Sequence, residues 1–109
     1  MVKGHFPNLF QPIEIGRMKL KNRIVMPAMS TNFADPKYPG FVSERHKSYY
    51  GERARGGTAL IIIESTNVNP SKGFRKFGLA LHTDQFIPGF KELAESIQKW
   101  GARCAVQLN

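Results

Sequence analysis

Apolar residues occur along the chain both in short continuous runs and in longer amphipathic stretches. The first two runs flank Gly16 and Arg17 and predict a small hairpin, because a two-residue turn favours a residue that adopts positive φ. Three further runs are apolar at consecutive positions, which is typical of strands covered on both faces, as in parallel sheets. These predicted strands span residues 23–26, 58–64 and 103–108.

Two stretches have the spacing of helices that pack one face against a sheet. The first can begin after Ser43, a good N-cap residue, and end at the glycine pair 56–57. The second begins near Pro88, which is tolerated in a first turn, and is followed by Gly101. The predicted helices therefore span about 43–55 and 87–100. The clearest apolar face belongs to the second and comprises Phe86, Phe90, Leu93, Ala94 and Ile97.

The order hairpin, strand, helix, strand, helix, strand predicts an α/β fold of parallel units with right-handed crossovers. Three such strands and two helices cannot close a barrel. A domain that ended at the apolar strand 103–108 would also carry an exposed sheet edge. We therefore expect residues 1–109 to be the N-terminal segment of a single larger domain, the remainder of which lies outside this sequence.

Composition favours a soluble globular protein. Apolar residues make up 41% and charged residues 22% of the chain. No apolar run approaches the ~18 residues of a membrane span, and Met1–Gln11 lacks the apolar core of a signal peptide. The single cysteine, Cys104, cannot form an internal disulfide, which agrees with a reducing compartment. We expect a cytoplasmic protein with no membrane partner.

The net charge of +8 raises the question of nucleic-acid binding. The Lys and Arg residues are dispersed, however, which is more typical of a solvated surface. No nucleic-acid partner is therefore expected, although a small basic binding module remains an alternative function. The three histidines, His5, His46 and His82, have no metal-ligand spacing, so no metal site is predicted.

Candidate chemistry is concentrated where the first buried strand ends. The apolar run stops at Pro27 and continues with small or soft side chains at Ala28, Met29 and Ser30. Such a strand end offers backbone amides and a hydroxyl to a flat, partly polar ligand, although an ordinary core strand followed by a loop has the same pattern. Gln107 interrupts another apolar strand, and its amide needs a hydrogen-bonding partner.

Three motifs, in the order found in the family, resemble the N-terminal part of the old yellow enzyme family. This family comprises FMN-dependent ene reductases and includes NADH:flavin oxidoreductases and 2,4-dienoyl-CoA reductase. The motifs are the hairpin with LKNRIVMPAM, the strand entry RARGGTALIIIE and the strand AVQLN. The resemblance implies the N-terminal portion of a (β/α)8 TIM barrel, with a capping hairpin, strands 1–3 and helices 1–2. It also implies FMN at the carboxyl ends of the strands.

The resemblance further assigns cofactor-binding positions. It places Pro27, Ala28 and Met29 beside the isoalloxazine ring and Ser30 near the electron-accepting edge of that ring. It implies a backbone contact from Ser65 and pairing of the Gln107 amide with the pyrimidine part of the ring. The catalytic residues are expected beyond Asn109, so the isolated segment is expected to be inactive.

The function implied by the resemblance is reduction of activated C=C bonds, with NAD(P)H as reductant. Enones, enoates and dienoyl thioesters are the expected small-molecule substrates, and a homo-oligomer is compatible with the family. The YYGERARGG and STNFA segments are closer to multidomain relatives that add a [4Fe-4S] cluster and an FAD domain. An amine dehydrogenase or demethylase of the same fold is a second alternative.

Overall fold

The computed structural model describes residues 4–109. Its helices and strands follow the predicted order, with one strand more than predicted. The elements are β1 (Ile13–Ile15), β2 (Met18–Leu20), β3 (Val25–Met26), α1 (Glu44–Arg55), β4 (Leu60–Asn67), β5 (Leu79–Ala80), a 3-10 turn (Asp84–Phe86), α2 (Ile87–Gln98) and β6 (Arg103–Leu108).

The central sheet is parallel, as predicted. β4 lies in its centre, pairing with β3 on one edge and with β6 on the other. The unpredicted strand β5 lies in the long connection after β4 and pairs with the carboxyl end of β4 on the β3 side. β1 and β2 form the predicted antiparallel hairpin, and Gly16 at its turn has a positive φ of 56°. The α/β prediction is therefore confirmed.

Both helices pack on one face of the sheet. The core between them contains Tyr50, Ile61, Ile63, Leu93 and Ile97, all of which are almost completely buried. Burying a side chain of this size contributes about 1.5–3 kcal/mol, so this layer fixes the helices on the sheet. Strand β6 contributes Cys104 and Val106 to the same side.

The opposite face of the sheet is covered only at its amino end. There the hairpin strand β2 packs Leu20 against Ala59 and Leu60. Val25, opposite Leu60 on β3, is 43% exposed, and further along the sheet Ala105 is exposed as well. The sequence pattern predicted strands covered on both faces, whereas residues 4–109 cover one face fully and leave the carboxyl half of the other open. We call this second surface the open face.

Polar caps fix the start of α1. The Ser43 hydroxyl accepts a hydrogen bond from the backbone N–H of His46, and the His46 ring accepts one from the backbone N–H of Ser43. These reciprocal bonds satisfy amides that lack a partner within the helix. Within residues 4–109, none of the helices is long and apolar enough to cross a membrane.

Candidate functional site at the carboxyl ends of the strands

The segment after β3 lies at the carboxyl edge of the sheet and bears four of the predicted site residues. Pro27, Met29 and Ser30 are exposed, Met29 to 47%, and Ala28 is half-buried. An apolar thioether beside a hydroxyl on an accessible surface suits a flat ligand with both apolar and polar parts. The described structure therefore leaves this segment accessible at the end of the sheet where parallel-strand folds bind ligands.

Ser65 lies within β4, whereas the sequence prediction ended this strand at residue 64. The strand pairing explains the difference. Ile63 is opposite Val106 and Thr66 is opposite Leu108, so β4 has one residue more than β6 over this interval. Such a bulge leaves the extra residue unpaired and changes the alternation of side chains. The strand continues past the charged residue and reaches Asn67.

The bulge determines which side chains face the helices. Ile63 belongs to the helix-side core, and the next residue, Glu64, also faces the helices, where it is fully buried. Ser65 is consequently directed to the open face and is partly exposed. Glu64, which the sequence pattern made the last residue of this strand, lies instead beneath α1, within a strand that continues to Asn67.

Gln107 is the third predicted contributor, and it lies on β6. Its side chain is exposed and alternates with those of Cys104 and Val106, so it faces the open side. Gln107 lies between the pairs Ile63–Val106 and Thr66–Leu108, so it is opposite the bulged stretch of β4 that contains Ser65. The carboxamide supplies both a donor and an acceptor to whatever binds there.

A buried polar network that sequence reasoning missed connects this edge to α1. The backbone N–H and the hydroxyl of Thr31 donate to the two carboxylate oxygens of Glu64, at 3.2 and 2.7 Å. The Tyr50 hydroxyl donates to Glu64 Oε1 at 3.0 Å and accepts from the Glu64 backbone N–H at 3.1 Å. Four short contacts thus fix a buried carboxylate and the segment after β3 together.

His46 lies beside this network. Its Nδ1 accepts from the backbone N–H of Ser43 at 3.0 Å, so Nδ1 carries no proton, and the proton of the neutral ring is on Nε2. Nε2 lies 3.6 Å from Glu64 Oε1. Burial lowers the pKa of His46 below its ordinary value of 6.5, although the nearby Glu64 carboxylate opposes this shift. His46 is therefore neutral at pH 7.

Burial also raises the pKa of Tyr50, with the proximity of the Glu64 carboxylate as a further cause. The phenol consequently remains protonated and can act as a donor. Sequence reasoning gave His46 no metal-binding role, and it did not reveal the part that Tyr50 plays in this network. A carboxylate within an apolar strand was the available signal, because a buried charge requires partners.

Arg75 is the second contributor that sequence reasoning missed. It lies in the connection between β4 and β5, and its guanidinium donates to Ser30 Oγ and to Asn32 Oδ1, both at 2.7 Å. A cation therefore borders the exposed edge of the candidate site. Among residues 4–109, no group of His, Cys, Asp and Glu side chains is arranged to hold a metal ion.

Comparison with known proteins is consistent with this geometry. Residues 8–109 match the NADH:flavin oxidoreductase / NADH oxidase family. The NADH oxidase of Thermoanaerobacter brockii is 44% identical over 106 residues, which cover 96% of this chain and 16% of that protein. The NADPH dehydrogenase of Bacillus subtilis (strain 168) is 37% identical over 100 residues, or 92% of this chain and 29% of the relative.

This chain is also similar to solved structures. Old Yellow Enzyme from Pichia sp. AKU4542 superposes with a TM-score of 0.84 and 32% identity, covering 93% of this chain and 26% of the other. A 2-naphthoyl-CoA reductase in complex with 2-naphthoyl-CoA gives a TM-score of 0.86 and 33% identity, covering 93% and 15%.

The chain spans less than a third of each of these four proteins. Its elements correspond to the N-terminal portion of their TIM barrels, as the sequence predicted. The family match extends over nearly the whole chain and includes all the predicted site residues. The chain therefore belongs to the NADH:flavin oxidoreductase / NADH oxidase family.

Proposed function

We propose that the protein carrying this chain is an FMN-dependent oxidoreductase that uses NAD(P)H to reduce activated C=C bonds in small molecules. One observation carries the proposal. Met29, Ser30, Ser65 and Gln107 come from three separate parts of the chain and lie at the carboxyl end of one sheet, with Gln107 opposite the bulged stretch that contains Ser65. Enones, enoates and dienoyl thioesters are the proposed substrates.

The chemistry of these side chains fits a flavin. The Gln107 carboxamide can donate to a ring carbonyl and accept from an adjacent ring N–H. Met29 offers a polarisable surface for an aromatic ring, and the Ser30 hydroxyl can donate to a ring atom. Ser65 is small, and its neighbours on the open face leave it accessible. The bound FMN would supply reversible hydride transfer between the nicotinamide and the substrate.

The role of this chain in that reaction is to hold and orient the ring. Pro27 and Ala28 continue directly from β3, so the wall they form is fixed by the sheet. The Thr31–Glu64 bonds prevent this segment from moving away from β4. Fixed donors beside the ring are effective because no reorganisation is needed when charge develops.

The different lengths of two relatives support a larger set of cofactors. The NADH oxidase is matched over 16% of its length and the NADPH dehydrogenase over 29%, so the first is nearly twice as long. The higher identity is with the longer protein. We therefore extend the proposal to a further domain with a [4Fe-4S] cluster and FAD, to be checked by iron, sulfide and flavin analysis of the purified protein.

The test of the flavin site uses the full-length protein and two glutamine variants. Gln107→Leu removes the proposed ring contact, whereas Gln85→Leu makes the same change at an exposed position in the 3-10 turn. Losing a hydrogen bond worth about 1.4 kcal/mol corresponds to a tenfold weaker affinity. We expect the Kd for FMN, measured by fluorescence quenching, to rise about tenfold in Gln107→Leu only.

Activity is measured anaerobically as NAD(P)H oxidation in the presence of an enone, so that oxygen cannot act as acceptor. The expected result is alkene-dependent oxidation by the flavin-loaded protein. A protein that neither contains nor takes up FMN would contradict the proposal. Equal affinities in the two glutamine variants would contradict the assignment of Gln107. Oxidation of amines without reduction of alkenes would favour the dehydrogenase or demethylase alternative.

A further inference from the structure

The connection between β4 and β5 folds back over the segment that follows β3. Its Arg75 contacts Ser30 and Asn32 through separate guanidinium nitrogens, Nη1 and Nη2. Two residues later, the carbonyl of Phe77 accepts from the backbone N–H of Ala34 at 3.2 Å. The two segments are therefore joined at three points, and Arg75 provides two of them.

The direction of the Arg75–Ser30 bond follows from chemistry. A guanidinium has donors and no acceptor, so Ser30 Oγ must accept this hydrogen bond. The hydroxyl proton of Ser30 is then free to be donated to another group. A charged donor on the oxygen withdraws electron density and makes the remaining O–H a stronger donor.

Asn32 supports the same interpretation independently of Ser30. Its φ is 59°, and it is the one non-glycine residue among residues 4–109 with a positive φ. This conformation disfavours most side chains by roughly 1–2 kcal/mol, although asparagine tolerates it better than most. Here the Asn32 side-chain oxygen receives the second Arg75 bond at 2.7 Å. Asn32 therefore combines a positive φ with a side-chain hydrogen bond that fixes the Arg75 guanidinium in place.

The charge of Arg75 is not neutralised locally. Among the described residues, no carboxylate lies within ion-pairing distance of its guanidinium. Residues 68–81 contain Lys72, Arg75 and Lys76 and have no Asp or Glu. The positive potential at Ser30 is consequently available to a group that gains negative charge.

We propose that Arg75 is a positioning residue that directs the Ser30 hydroxyl toward the flavin ring and raises the reduction potential of the bound FMN. This inference rests on the proposed function. Hydride transfer from NAD(P)H would leave NAD(P)+ and would add two electrons and one proton to a bound flavin ring. A strong hydrogen-bond donor and a nearby cation both favour the more electron-rich, reduced ring.

The experiment measures the midpoint potential of FMN in the full-length flavin-loaded protein by spectroelectrochemistry. Arg75→Gln removes the positive charge and the paired hydrogen bonds that the guanidinium donates to Ser30 and Asn32. Lys76→Gln makes the same charge change one position away, where the ammonium lies near the Phe77 ring. We expect Arg75→Gln to lower the reduced-to-oxidised ratio at a fixed potential about tenfold, which is about 30 mV for a two-electron couple. Lys76→Gln should cause a much smaller shift.

The serine is tested by a double-mutant cycle. In a Ser30→Ala background, Arg75→Gln should shift the potential much less than in the wild-type protein, because the bond it removes is already absent. Arg75→Lys retains the charge without the two-pronged geometry and should give an intermediate potential. It also provides a conservative variant if Arg75→Gln fails to fold.

Equal shifts in Arg75→Gln and Lys76→Gln would overturn the inference, since net charge alone would explain them. An undiminished effect of Arg75→Gln in the Ser30→Ala background would overturn it as well. In both cases the protein would still bind FMN, so the proposed function would stand. A wild-type protein that takes up no FMN would instead overturn the proposed function, and this inference with it.

Discussion

Tyr50→Phe tests whether the buried network holds the candidate site in place. The substitution keeps the aromatic ring in the core and removes only the hydroxyl, which is fully buried. That hydroxyl donates to the Glu64 carboxylate at 3.0 Å and accepts from the Glu64 backbone N–H at 3.1 Å. A hydrogen bond to a charged group contributes about 1.5–3 kcal/mol, and a buried N–H left unpaired costs about 1–3 kcal/mol. Because the two losses overlap, we expect the free energy of unfolding to fall by about 3 kcal/mol.

The neighbouring residue provides a matched control. Tyr49 lies on the same helix and is half-buried, but its hydroxyl makes no hydrogen bond within residues 4–109. Tyr49→Phe should therefore change the free energy of unfolding by no more than about 0.5 kcal/mol. Both variants are compared with the wild-type full-length protein by urea titration monitored by circular dichroism. If Tyr50→Phe is no more destabilising than Tyr49→Phe, the network does not contribute to stability as argued.

Two further predictions concern backbone geometry and pH. Gly40→Ala should destabilise the protein more than Gly16→Ala in urea titrations. Both glycines have positive φ, but only at Gly40 would the new Cβ lie 2.8 Å from the Ala80 Cβ. Equal decreases in the free energy of unfolding would rule out this steric contribution. Burial lowers the pKa of His46, so the unfolded chain binds more protons and stability should decrease as pH falls below about 6.5. His46→Gln should weaken that decrease in pH-dependent thermal melts, and an unchanged decrease in this variant would contradict the argument.

The order of elements could be predicted from the sequence because each element has a strong local signal. The helix α2 shows it best: its apolar face is regular, and Leu93 and Ile97 are fully buried as that spacing requires. The predicted C-terminus, at residue 100, extended two residues beyond the observed end at Gln98. The cytoplasmic location and the absence of nucleic-acid partners stay predictions, as does the assignment of individual cofactor contacts.

Strand β5 and the true extent of β4 could not be predicted, because both depend on pairing between distant residues. Leu79 and Ala80 form too short a run to indicate a strand, and they become one only by pairing with Thr66 and Asn67. The bulge likewise leaves no local signal, since it is defined by a mismatch of one residue between β4 and β6. Periodicity therefore placed Ile61, Ile63 and Glu64 in the strand correctly but ended the strand at Glu64, before its observed end at Asn67.

The two groups of residues that the sequence did not reveal hold the same three-residue segment from opposite sides. Thr31 bonds to the buried carboxylate of Glu64, while Ser30 and Asn32 bond to the exposed guanidinium of Arg75. Thr31 is partly buried, whereas Ser30 and Asn32 are exposed, so the two groups restrain different side chains and one cannot replace the other. If Glu64 alone were present, the Ser30 hydroxyl could still rotate; if Arg75 alone were present, the segment could separate from β4. Both restraints together fix the position of the backbone and the direction of the hydroxyl, which is what a site for a rigid planar ring requires.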